Sequence, residues 1–517
     1  MATHTSVWRE GHDREPNPAL SSDVTTDVCV IGAGIAGLST AVEAALAGLR
    51  VTVIDAASVG AGETSATSAH LTNVFDTGFT YVERHAGLES TRLAANAHMA
   101  AIGRIEELSA AHGIASGFQR VNGYLFAHDA PADSGIDEEL DVAHRCNEPS
   151  WKPERLRESP VGPKGRAALR FPNQGIFHPL AYLHGLVHVL EANGGALYED
   201  TRATSVQSGE PARVETAGGP TVTARFVVVA TNSPMNDLVA MHTKQAPYHT
   251  YVVGMPVAPG SVEPALYWDT EDPFHYVRLL PGGAKDGDDL LIVGGEDHKA
   301  AHESDCDARW QKLETWARRH FPGAKEPQWL WSGQVMNSID GLGFFGRNPM
   351  DTPNIFIATG DTGMGLTGGA LAGMIIRDLM LGRANPWAEV FDPSRKPVTA
   401  LAEFVKEQID VATQYADWLT PGEVDDINAI GRNAGAILRK GARKYAVSRS
   451  AQGKVTCLSA VCTHLGCLVG WNPAASTWDC PCHGSRFRPD GSVIHGPASK
   501  PLEEIAEEDL GNVNGKS

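Results

Sequence analysis

The stretch "TTDVCVIGAGIAGLSTAVEAALAGLRVTVIDA", residues 25–56, decides the fold. It contains a short β-branched strand, a turn with Gly32, Gly34 and Gly37, an apolar helix, and a second strand that ends at Asp55. The three glycines permit a tight turn, a close backbone approach to a pyrophosphate and close packing of helix on strand. The helix N-terminus attracts phosphate, and an acid after the second strand binds a ribose. The order of these features predicts a dinucleotide-binding unit of the Rossmann type.

Two further glycine-rich segments indicate which dinucleotide binds. Residues 60–73, "GAGETSATSAHLTN", are mostly small or hydroxylated, and residues 354–380, "NIFIATGDTGMGLTGGALAGMIIRDLM", combine an apolar run, a glycine-rich turn and a helix. Backbone amides of a turn that opens a helix suit a second contact with a long cofactor, which favours FAD over NAD. The glycine pair in 290–299, "LLIVGGEDHK", is followed by charged residues where a phosphate-binding helix should begin. We therefore expect no internal NAD(P)H domain and expect the electrons to come from an organic substrate.

The chain resembles the D-amino acid oxidase superfamily of FAD-dependent oxidoreductases in these and two further segments. The segments "GIFHPLAYLHGLVHVLEANGGALYEDTRATSV" and "FVVVATNSP" lie between the first motif and "IFIATGDTGMGLTGGALAG", in the order typical of the superfamily. The resemblance covers about residues 20–385. It implies an α/β, Rossmann-like FAD-binding domain with an inserted substrate domain built on a mixed or antiparallel sheet.

The same resemblance implies which residues hold FAD. The residues expected at the ADP part are Gly32, Gly34, Gly37 and Asp55, with Val206 near the adenine. Those expected along the pyrophosphate or the ring are Thr64 and Thr67, and those expected near the flavin end are Gly360, Gly363, Gly365 and Thr367.

Near the other end of the chain, "VCTHLGCLVGWNPAASTWDCPCHGS" (461–485) concentrates cysteines and histidines. Two boxes each offer one thiol and one imidazole, Cys462 with His464 and Cys480 with His483. A Rieske [2Fe–2S] centre takes thiolates on one iron and imidazoles on the other, so two short loops can hold it from opposite sides. A zinc site is the competing interpretation, but it explains neither both spacings nor the two further cysteines in the boxes.

The boxes resemble Rieske proteins, with a likeness that covers about residues 421–508 and implies an all-β C-terminal domain. In cytochrome bc-type Rieske proteins the two spare cysteines, here Cys467 and Cys482, form a disulfide. Ser485 matches a position whose hydroxyl donates to a cluster sulfide, whereas Phe487 stands where high-potential members carry tyrosine. Fewer hydrogen bonds to sulfur stabilise the reduced cluster less, so we expect a potential below the top of the roughly −150 to +300 mV Rieske range.

These motifs predict three parts of the chain. They are a FAD unit over 1–395, a connecting helix over 396–420 and a Rieske domain over 421–510. Within the FAD unit, the expected FAD-binding segments are about 22–75, 180–235 and 335–385, and the expected substrate layer is about 76–179 and 236–334. The helix is predicted from apolar residues at helical spacing.

The combination of motifs predicts an oxidoreductase with a built-in electron outlet. A Rieske oxygenase needs a mononuclear iron site in a large domain of its own, and the FAD unit leaves no room for one. We expect hydride transfer to FAD, followed by single electrons leaving through the cluster to an external acceptor, either a protein or a quinone. The superfamily mostly oxidises C–N bonds, which implies an amine or (N-alkyl) amino acid substrate. Two alternatives stay open: an oxidase that uses O2 with a structural or regulatory Rieske domain, and a redox carrier or sensor without a dedicated small substrate.

The segment "YWDTEDPFHYVRLLP" (267–281) provides candidate catalytic residues. Tyr276 and Arg278 share one face of a strand, because side chains alternate with a period of two, and an arginine can clamp a carboxylate with two hydrogen bonds. His70 falls where the chain should pass the flavin ring, and we expect it to be a pocket residue beside non-covalent FAD. Tyr251 is a further candidate lining residue.

Composition argues against some partners. The chain has 43 Lys and Arg against 62 Asp and Glu, a net charge of −19, whereas nucleic acids and anionic membranes reward an excess of basic residues. The polar N-terminal stretch does not resemble a secretory signal, and no run reaches the roughly 18 apolar residues of a membrane span. We expect a cytoplasmic protein, and a homo-oligomer is possible.

Overall fold

The computed structural model describes residues 2–127, 135–146, 148, 151–164, 166–236, 241–301, 305–349, 351–396, 418 and 420–506. Most of the helix predicted over 396–420 lies outside these residues. The α-helices are α1 (Ile35–Leu46), α2 (Phe79–Ala86), α3 (Leu88–Ala111), α4 (Ile136–Cys146), α5 (Pro179–Ala192), α6 (Cys306–His320) and α7 (Gly365–Met380). Within the described part of the chain, no helix is both long and apolar enough to cross a membrane.

A mainly parallel sheet carries the glycine-rich turn. Its strands are β1 (Val24–Ile31), β2 (Val51–Ile54), β7 (Ala196–Tyr198), β8 (Ala203–Gln207), β9 (Ala212–Thr216), β10 (Thr221–Val229), β16 (Phe344–Arg347) and β17 (Ile355–Thr359). In the order β16-β17-β10-β1-β2-β7, every pair from β17 to β7 is parallel and β16 is antiparallel. Val28 and Val30 of β1 pack with helices α1 and α7, whereas Cys29 and Ile31 pack with the β8–β9 hairpin. A strand covered on both faces in this way has a continuous apolar run, as β1 does.

A second, mixed sheet forms the other layer. Its strands are β3 (His70–Leu71), β4 (Gln119–Phe126), β5 (Glu154–Leu156), β6 (Ala168–Ile176), β11 (Gln245–Val257), β12 (Leu266–Asp269), β13 (His275–Leu280), β14 (Asp289–Lys299) and β15 (Trp329–Ser338). The order is β15-β11-β14-β13-β12-β4-β6-β3, and the pairs are antiparallel except β12 with β4. One face packs on helix α6 through Trp310 and Leu313, so the opposite face is available to bound a site between the two layers.

The C-terminal domain is all-β, as predicted. One sheet contains β18 (Ala434–Lys440), β19 (Arg443–Arg449) and β20 (Val455–Ser459), and the other contains β21 (Gly470–Asn472), β22 (Thr477–Asp479), β23 (Arg486–Phe487) and β24 (Val493–His495). Trp478 and Phe487 are fully buried in its core beside the cysteines of both boxes. Together the four sheets of the described residues confirm the predicted fold class.

The C-terminal domain packs directly on the FAD unit. Arg202, which precedes β8, donates to the carbonyl oxygen of Val493 at 2.6 Å. Ser233, which follows β10, donates to the carbonyl oxygen of His483 at 3.3 Å. A Cβ atom at Gly484 would lie 3.2 Å from the sulfur of Met336 in β15, so the backbone of the second box lies against the mixed sheet.

Gly37 is a sensitive test of the first motif. A Cβ atom at this position would lie 1.8 Å from the carbonyl oxygen of Gly32, which forces the helix away from the strand. We predict that Gly37→Ala lowers the free energy of unfolding by at least roughly 1–3 kcal/mol, the usual cost of overpacking, and that it reduces the FAD content of the purified protein. Thermal unfolding and flavin absorbance measure both effects. Gly323→Ala is the matched control, because a Cβ atom there meets nothing within 4 Å; equal behaviour of the two variants would contradict the packing argument.

Candidate functional site

A cavity of about 690 Å³ lies between the two sheets. Its lining begins at the glycine-rich turn after β1, continues past the start of α7, and reaches strands β11, β13 and β14 of the mixed sheet. Ile494, Gly496 and Ala498 of the C-terminal domain also line it. The cavity is thus bounded by both halves of the chain, and it opens at the carboxyl ends of the parallel strands, where ligands of α/β sheets bind.

One end of the cavity has the features that an ADP group requires. Gly32 has φ +109°, and a Cβ atom there would lie 2.4 Å from the carbonyl oxygen of Ala230, so only glycine fits this turn. The carboxylate of Asp55 accepts hydrogen bonds from the backbone amides of Ala33 at 2.6 Å and Ala57 at 2.8 Å. Burial raises the pKa of Asp55 to about 6. This cradle and the acid fit the sugar and phosphates of FAD.

Most of the predicted cofactor residues come together at this cavity. Those that line it are Gly32, Gly34, Asp55, Thr64, Thr67, Gly363, Gly365 and Thr367. Gly37 and Gly360 lie behind the lining, where a Cβ atom would meet the carbonyl oxygen of Gly32 and the side chains of Gln245 and Phe344, respectively.

Val206 does not lie where it was expected. The cavity is lined by Arg202 and Ala203 at the start of β8, whereas Val206 packs in the apolar cluster behind the sheet. A strand advances roughly 3.3 Å per residue, so three residues carry the chain away from the site. At this point the cavity wall is formed by Arg202 and Ala203 and not by Val206.

The turn before α7 forms the other cofactor-binding surface. A Cβ atom at Gly363 would lie 1.6 Å from Oδ2 of Asp76, so the loop and this acid are in close contact. The hydroxyl of Thr367 lies 2.9 Å from Nδ1 of His98, which fixes the first turn of the helix. A helix N-terminus with free amides suits the electron-rich edge of a flavin ring.

Two of the predicted catalytic residues, Tyr276 and His70, line the cavity. Their rings meet edge to face with centroids 5.6 Å apart, and the Tyr276 hydroxyl lies 2.5 Å from Oγ1 of Thr250. His70 Nε2 donates to the carbonyl oxygen of Val277 at 3.1 Å, and the Ser68 hydroxyl lies 3.0 Å from its Nδ1. Burial and the neighbouring charge of Arg278 lower the pKa of His70 to about 3, so the ring is neutral.

Arg278, the expected carboxylate clamp, is not among the residues that line the cavity. Its Nη1 donates to the carbonyl oxygens of Ala69 at 2.7 Å and Phe177 at 2.9 Å, and its guanidinium lies over the ring of Trp8. Burial lowers the pKa of Arg278 to about 9, which still leaves it charged at neutral pH. The side chain extends past the cavity wall and holds the backbone next to His70 in place.

Tyr251 also lies away from the cavity. It belongs to the face of the mixed sheet that packs on α6, where its hydroxyl lies 2.9 Å from Nε2 of His298 and its ring contacts Trp310. Its neighbour Thr250 lines the cavity instead, because adjacent residues of a strand point to opposite faces.

Three acids that line the cavity, Asp76, Asp297 and Asp361, were not predicted from the sequence. Desolvation inside the cavity raises their pKa values to about 8, 6 and 7, and repulsion from the other two acids adds to the effect for Asp76. Asp297 lies in the glycine-containing segment 290–299, and Asp361 lies in the glycine-rich segment 354–380. An aspartate beside the glycines of such a segment was the signal from which these two acids could have been predicted.

The two cysteine and histidine boxes meet at one point. The thiols of Cys462 and Cys480 are buried and hydrogen-bonded to each other, and this bond lowers the pKa of Cys462. The rings of His464 and His483 lie edge to face with centroids 5.0 Å apart. Two adjacent thiols and two adjacent imidazoles form the donor set of a Rieske [2Fe–2S] cluster, so the residues fit the predicted cofactor.

Cys467 and Cys482 are joined in a disulfide. Sulfurs of both lie within 4.8 Å of Cys480, but their bond to each other removes them as metal ligands. Because two of these three cysteines are bonded to each other, the group cannot supply three thiolate ligands to a zinc ion. Ser485 accepts from the backbone amide of Ala498 at 3.1 Å and its hydroxyl hydrogen-bonds to Cys462.

A histidine of the FAD unit covers the expected ligand histidines. His242 is 3% exposed, and its ring centroid lies 4.9 Å from that of His464 and 5.2 Å from that of His483. The imidazole side of the iron–sulfur site therefore lies against the FAD unit, with His483 buried and His464 partly exposed.

A buried ionic network joins the two units next to the cavity. Oε1 of Glu63, in the turn before Thr64, accepts from Nη1 of Arg486 at 3.0 Å and from Nε2 of His495 at 2.8 Å. Its Oε2 accepts from the backbone amide of Gln334 at 2.6 Å. Burial alone would raise the pKa of Glu63, but the His495 hydrogen bond and the Arg486 charge outweigh it and lower the pKa to about 2.

Comparison with known proteins assigns the chain to a family. The family model described as FAD dependent oxidoreductase matches residues 27–379, and the model of the Rieske [2Fe-2S] domain matches residues 415–506. The chain belongs to the FAD-dependent oxidoreductase family. It is an enzyme of this family with a C-terminal Rieske domain, and its cofactors are FAD and a [2Fe–2S] cluster.

Relatives support both the family and the fold. The Rieske 2Fe-2S iron-sulfur protein YhfW of Bacillus subtilis is 30% identical over 514 residues, which cover 97% of each chain. Gamma-glutamylputrescine oxidoreductase of Escherichia coli is 27% identical over 74% of this chain and 91% of its own length. The crystal structure of glycine oxidase from Geobacillus kaustophilus superimposes with a TM-score of 0.61 at 20% identity, over 72% of this chain and 99% of that one. The last likeness shows the fold alone.

The ionic network predicts how Glu63 contributes to stability. We expect Glu63→Gln to lower the free energy of unfolding by roughly 1–3 kcal/mol at pH 7, because it removes one of the two carboxylate partners of Arg486 and the carboxylate partner of His495 in a mostly buried place. Glu107→Gln, an acid 65% exposed on α3, is the matched control and should change stability little. Chemical unfolding of both variants measures the difference.

The difference in unfolding free energy between the wild type and Glu63→Gln should depend on pH. The folded-state pKa of Glu63 lies below its ordinary value of 4.5, so its stabilisation is fully present above pH 4.5 and is lost as the pH falls toward about 2. The gap between the wild type and Glu63→Gln should therefore narrow below pH 4.5. A gap that stays constant or widens on acidification would contradict the assignment.

Proposed function

We propose that this enzyme oxidises the C–N bond of an amine or amino acid, and that the electrons leave one at a time through its own Rieske cluster to an external acceptor. When bound, FAD accepts a hydride from carbon and a [2Fe–2S] cluster carries single electrons. The observation that carries the proposal is the shared wall: residues of the C-terminal domain line the same cavity as Gly32, Thr64 and Gly365.

Residues at the catalytic end of the cavity are suited to hold an amine. His70 is neutral and both of its ring nitrogens are engaged, so it forms part of the wall without adding a positive charge. The hydroxyls of Tyr276 on β13 and Thr250 on β11, the two strands that flank β14, lie in hydrogen-bond contact. Burial raises the pKa of Tyr276 well above its ordinary value, so its hydroxyl stays protonated. Trp268 and Phe274 contribute apolar surface that excludes water from the reacting carbon.

The contacts around the cluster residues support a direction for electron flow. The imidazoles of His464 and His483 lie against His242 of the FAD unit, which is the side from which electrons would arrive. Leu465, next to one of these imidazoles, is 41% exposed and offers a place for an acceptor to approach. Electrons would thus enter from the buried side and leave at the surface.

The names of relatives agree with this chemistry. Gamma-glutamylputrescine oxidoreductase is named for an amine, and glycine oxidase for an amino acid. The identity of the acceptor, a cytoplasmic location and a homo-oligomeric state remain predictions from the sequence.

Removing one cluster ligand tests the electron outlet. We predict that Cys462→Ala abolishes reduction of cytochrome c, which is too large to enter the cavity, by substrate-reduced enzyme, while anaerobic bleaching of the flavin by the same substrate continues. Cys457→Ala, at a buried cysteine of β20 outside the boxes, is the matched control and should retain acceptor reduction.

Two outcomes would contradict the proposal. Stoichiometric peroxide formation that is unaffected by Cys462→Ala would identify an oxidase that delivers its electrons to O2. Failure of every amine and amino acid to bleach the flavin, with rapid reduction by a partner reductase, would identify a redox carrier.

A further inference from the structure

The segment between β10 and β11 connects the cavity with the iron–sulfur site. Its residues that line the cavity are Ala230, Thr231, Asn232 and Met235. Ser233 lies among them in the chain but is fully buried, and its hydroxyl donates to the carbonyl oxygen of His483 at 3.3 Å. Neighbouring residues of one short stretch therefore touch the expected FAD site on one side and an expected ligand of the cluster on the other.

Hydrogen bonds fix the conformation of this stretch. Asn232 has φ +66°, in the left-handed region that asparagine tolerates better than most residues. The hydroxyl of Thr359 donates to the carbonyl oxygen of Asn232 at 2.6 Å, and the hydroxyl of Thr231 donates to the carbonyl oxygen of Ser233 at 2.8 Å. The connection from the cavity wall to His483 thus runs through ordered backbone and one buried hydroxyl.

His242, farther along the same segment, makes a second contact with the iron–sulfur site. Its side chain is buried, and its ring meets those of His464 and His483 edge to face, with interplanar angles of 69° and 61°. The centroid distances of 4.9 and 5.2 Å are those of rings that touch without water between them. The FAD unit therefore reaches both expected imidazole ligands through a single side chain.

These contacts have the properties of a path for single electrons. Electrons tunnel more readily along covalent bonds, hydrogen bonds and ring contacts than across gaps or water. Each crossing would oxidise the reduced flavin by one electron and reduce the oxidised cluster by one electron, and no bond and no proton would cross the contact.

The ring of His242 also bears on the energy of the added electron. Solvent access and the dielectric around a cluster contribute to its reduction potential. A side chain that covers the imidazoles on the side of the FAD unit keeps water from that side. Reduction adds negative charge, so this cover lowers the potential of the cluster.

We propose that Ser233 and His242 are positioning residues of the iron–sulfur centre, which together form the path by which electrons enter the cluster from the flavin. This inference rests on the proposed electron route and names the residues that provide it. It does not depend on which substrate reduces the flavin.

Flash photolysis of the full-length enzyme, loaded with FAD and the cluster, tests the inference without a substrate. A laser flash in the presence of 5-deazariboflavin and a sacrificial donor delivers one electron to the flavin, and the cluster absorbance is then followed. Only the phase whose rate is independent of protein concentration measures transfer within one chain. The electron paramagnetic resonance spectrum and the potential of the cluster are recorded for each variant.

The variants are expected to separate the two contacts. Ser233→Ala should slow the transfer at least threefold and leave the spectrum and the potential unchanged, because it removes a bond to a backbone carbonyl and not to an imidazole. His242→Ala should slow it at least tenfold. Water entering the vacated space should at the same time raise the potential by about 59 mV or more, a tenfold change in a one-electron equilibrium.

A higher potential by itself favours transfer to the cluster, so a slower rate in His242→Ala reports the lost contact. His242→Phe keeps an aromatic ring at this position. We expect it to restore the transfer rate to within threefold of the wild type and to return the potential toward the wild-type value.

Two matched controls should leave the rate, the spectrum and the potential unchanged. Ser109→Ala removes a buried hydroxyl of α3 that hydrogen-bonds to Ser116. His85→Ala removes a buried histidine of α2 whose ring centroid lies 4.1 Å from that of Tyr81.

The possible failures are distinguishable. Wild-type transfer rates in both Ser233→Ala and His242→Ala would overturn the inference and leave the proposed function intact. If the iron content shows that His242→Ala does not retain its cluster, a wild-type rate in Ser233→Ala overturns the path by itself. A rate in His242→Phe as low as in His242→Ala would overturn the role given to the ring contact. Absence of concentration-independent transfer in the wild type would overturn the inference and the proposed electron route together.

Discussion

The arrangement of this enzyme depends on a buried carboxylate that belongs to one unit and is neutralised by the other. Glu63 stands in the turn that leads into the flavin-binding stretch, and its partners, the guanidinium of Arg486 and the imidazole of His495, come from the C-terminal domain. Arg486 is shared with Asp479, which in turn contacts His249 of the mixed sheet at 2.9 Å. Buried charges are tolerated only when they are paired, so separation of the domains would leave several ions uncompensated. The network therefore favours one docked position of the iron–sulfur site over a freely mobile one.

Docking also completes the cavity and divides its chemistry. The C-terminal domain supplies part of the wall near the ADP end, while the two sheets of the FAD unit supply the rest. Arg202 and Arg488 line the cavity near Asp55, where the pyrophosphate of FAD is anionic. The neutral His70 and the protonated Tyr276 line it on the mixed sheet. The cavity is thus bounded by the two sheets of the FAD unit and by the C-terminal domain together.

The sequence allowed the fold class, the cofactors and most residues around them to be predicted, because the motifs depend on fixed local spacing. Gly32 and the cysteine boxes are examples, since a turn or a cluster accepts few alternatives. Predictions that required the position of a strand relative to the site were less successful: Tyr276 lines the cavity, whereas Val206, Arg278 and Tyr251 do not. Arg278 is on the expected face of its strand but reaches past the wall, and Tyr251 follows an irregularity in the pairing of β11 with β14. The contact of Glu63 with Arg486 joins residues 423 positions apart and has no local signature.

The central claim is that the flavin and the cluster of one chain exchange electrons directly. The most direct test is a single-turnover experiment in which anaerobic enzyme is mixed with substrate at several protein concentrations, and the flavin absorbance and the cluster signal are followed separately. The account predicts that the flavin is reduced first and that the cluster follows at a rate independent of protein concentration. Cluster reduction that precedes flavin reduction, or whose rate rises in proportion to protein concentration, would contradict it.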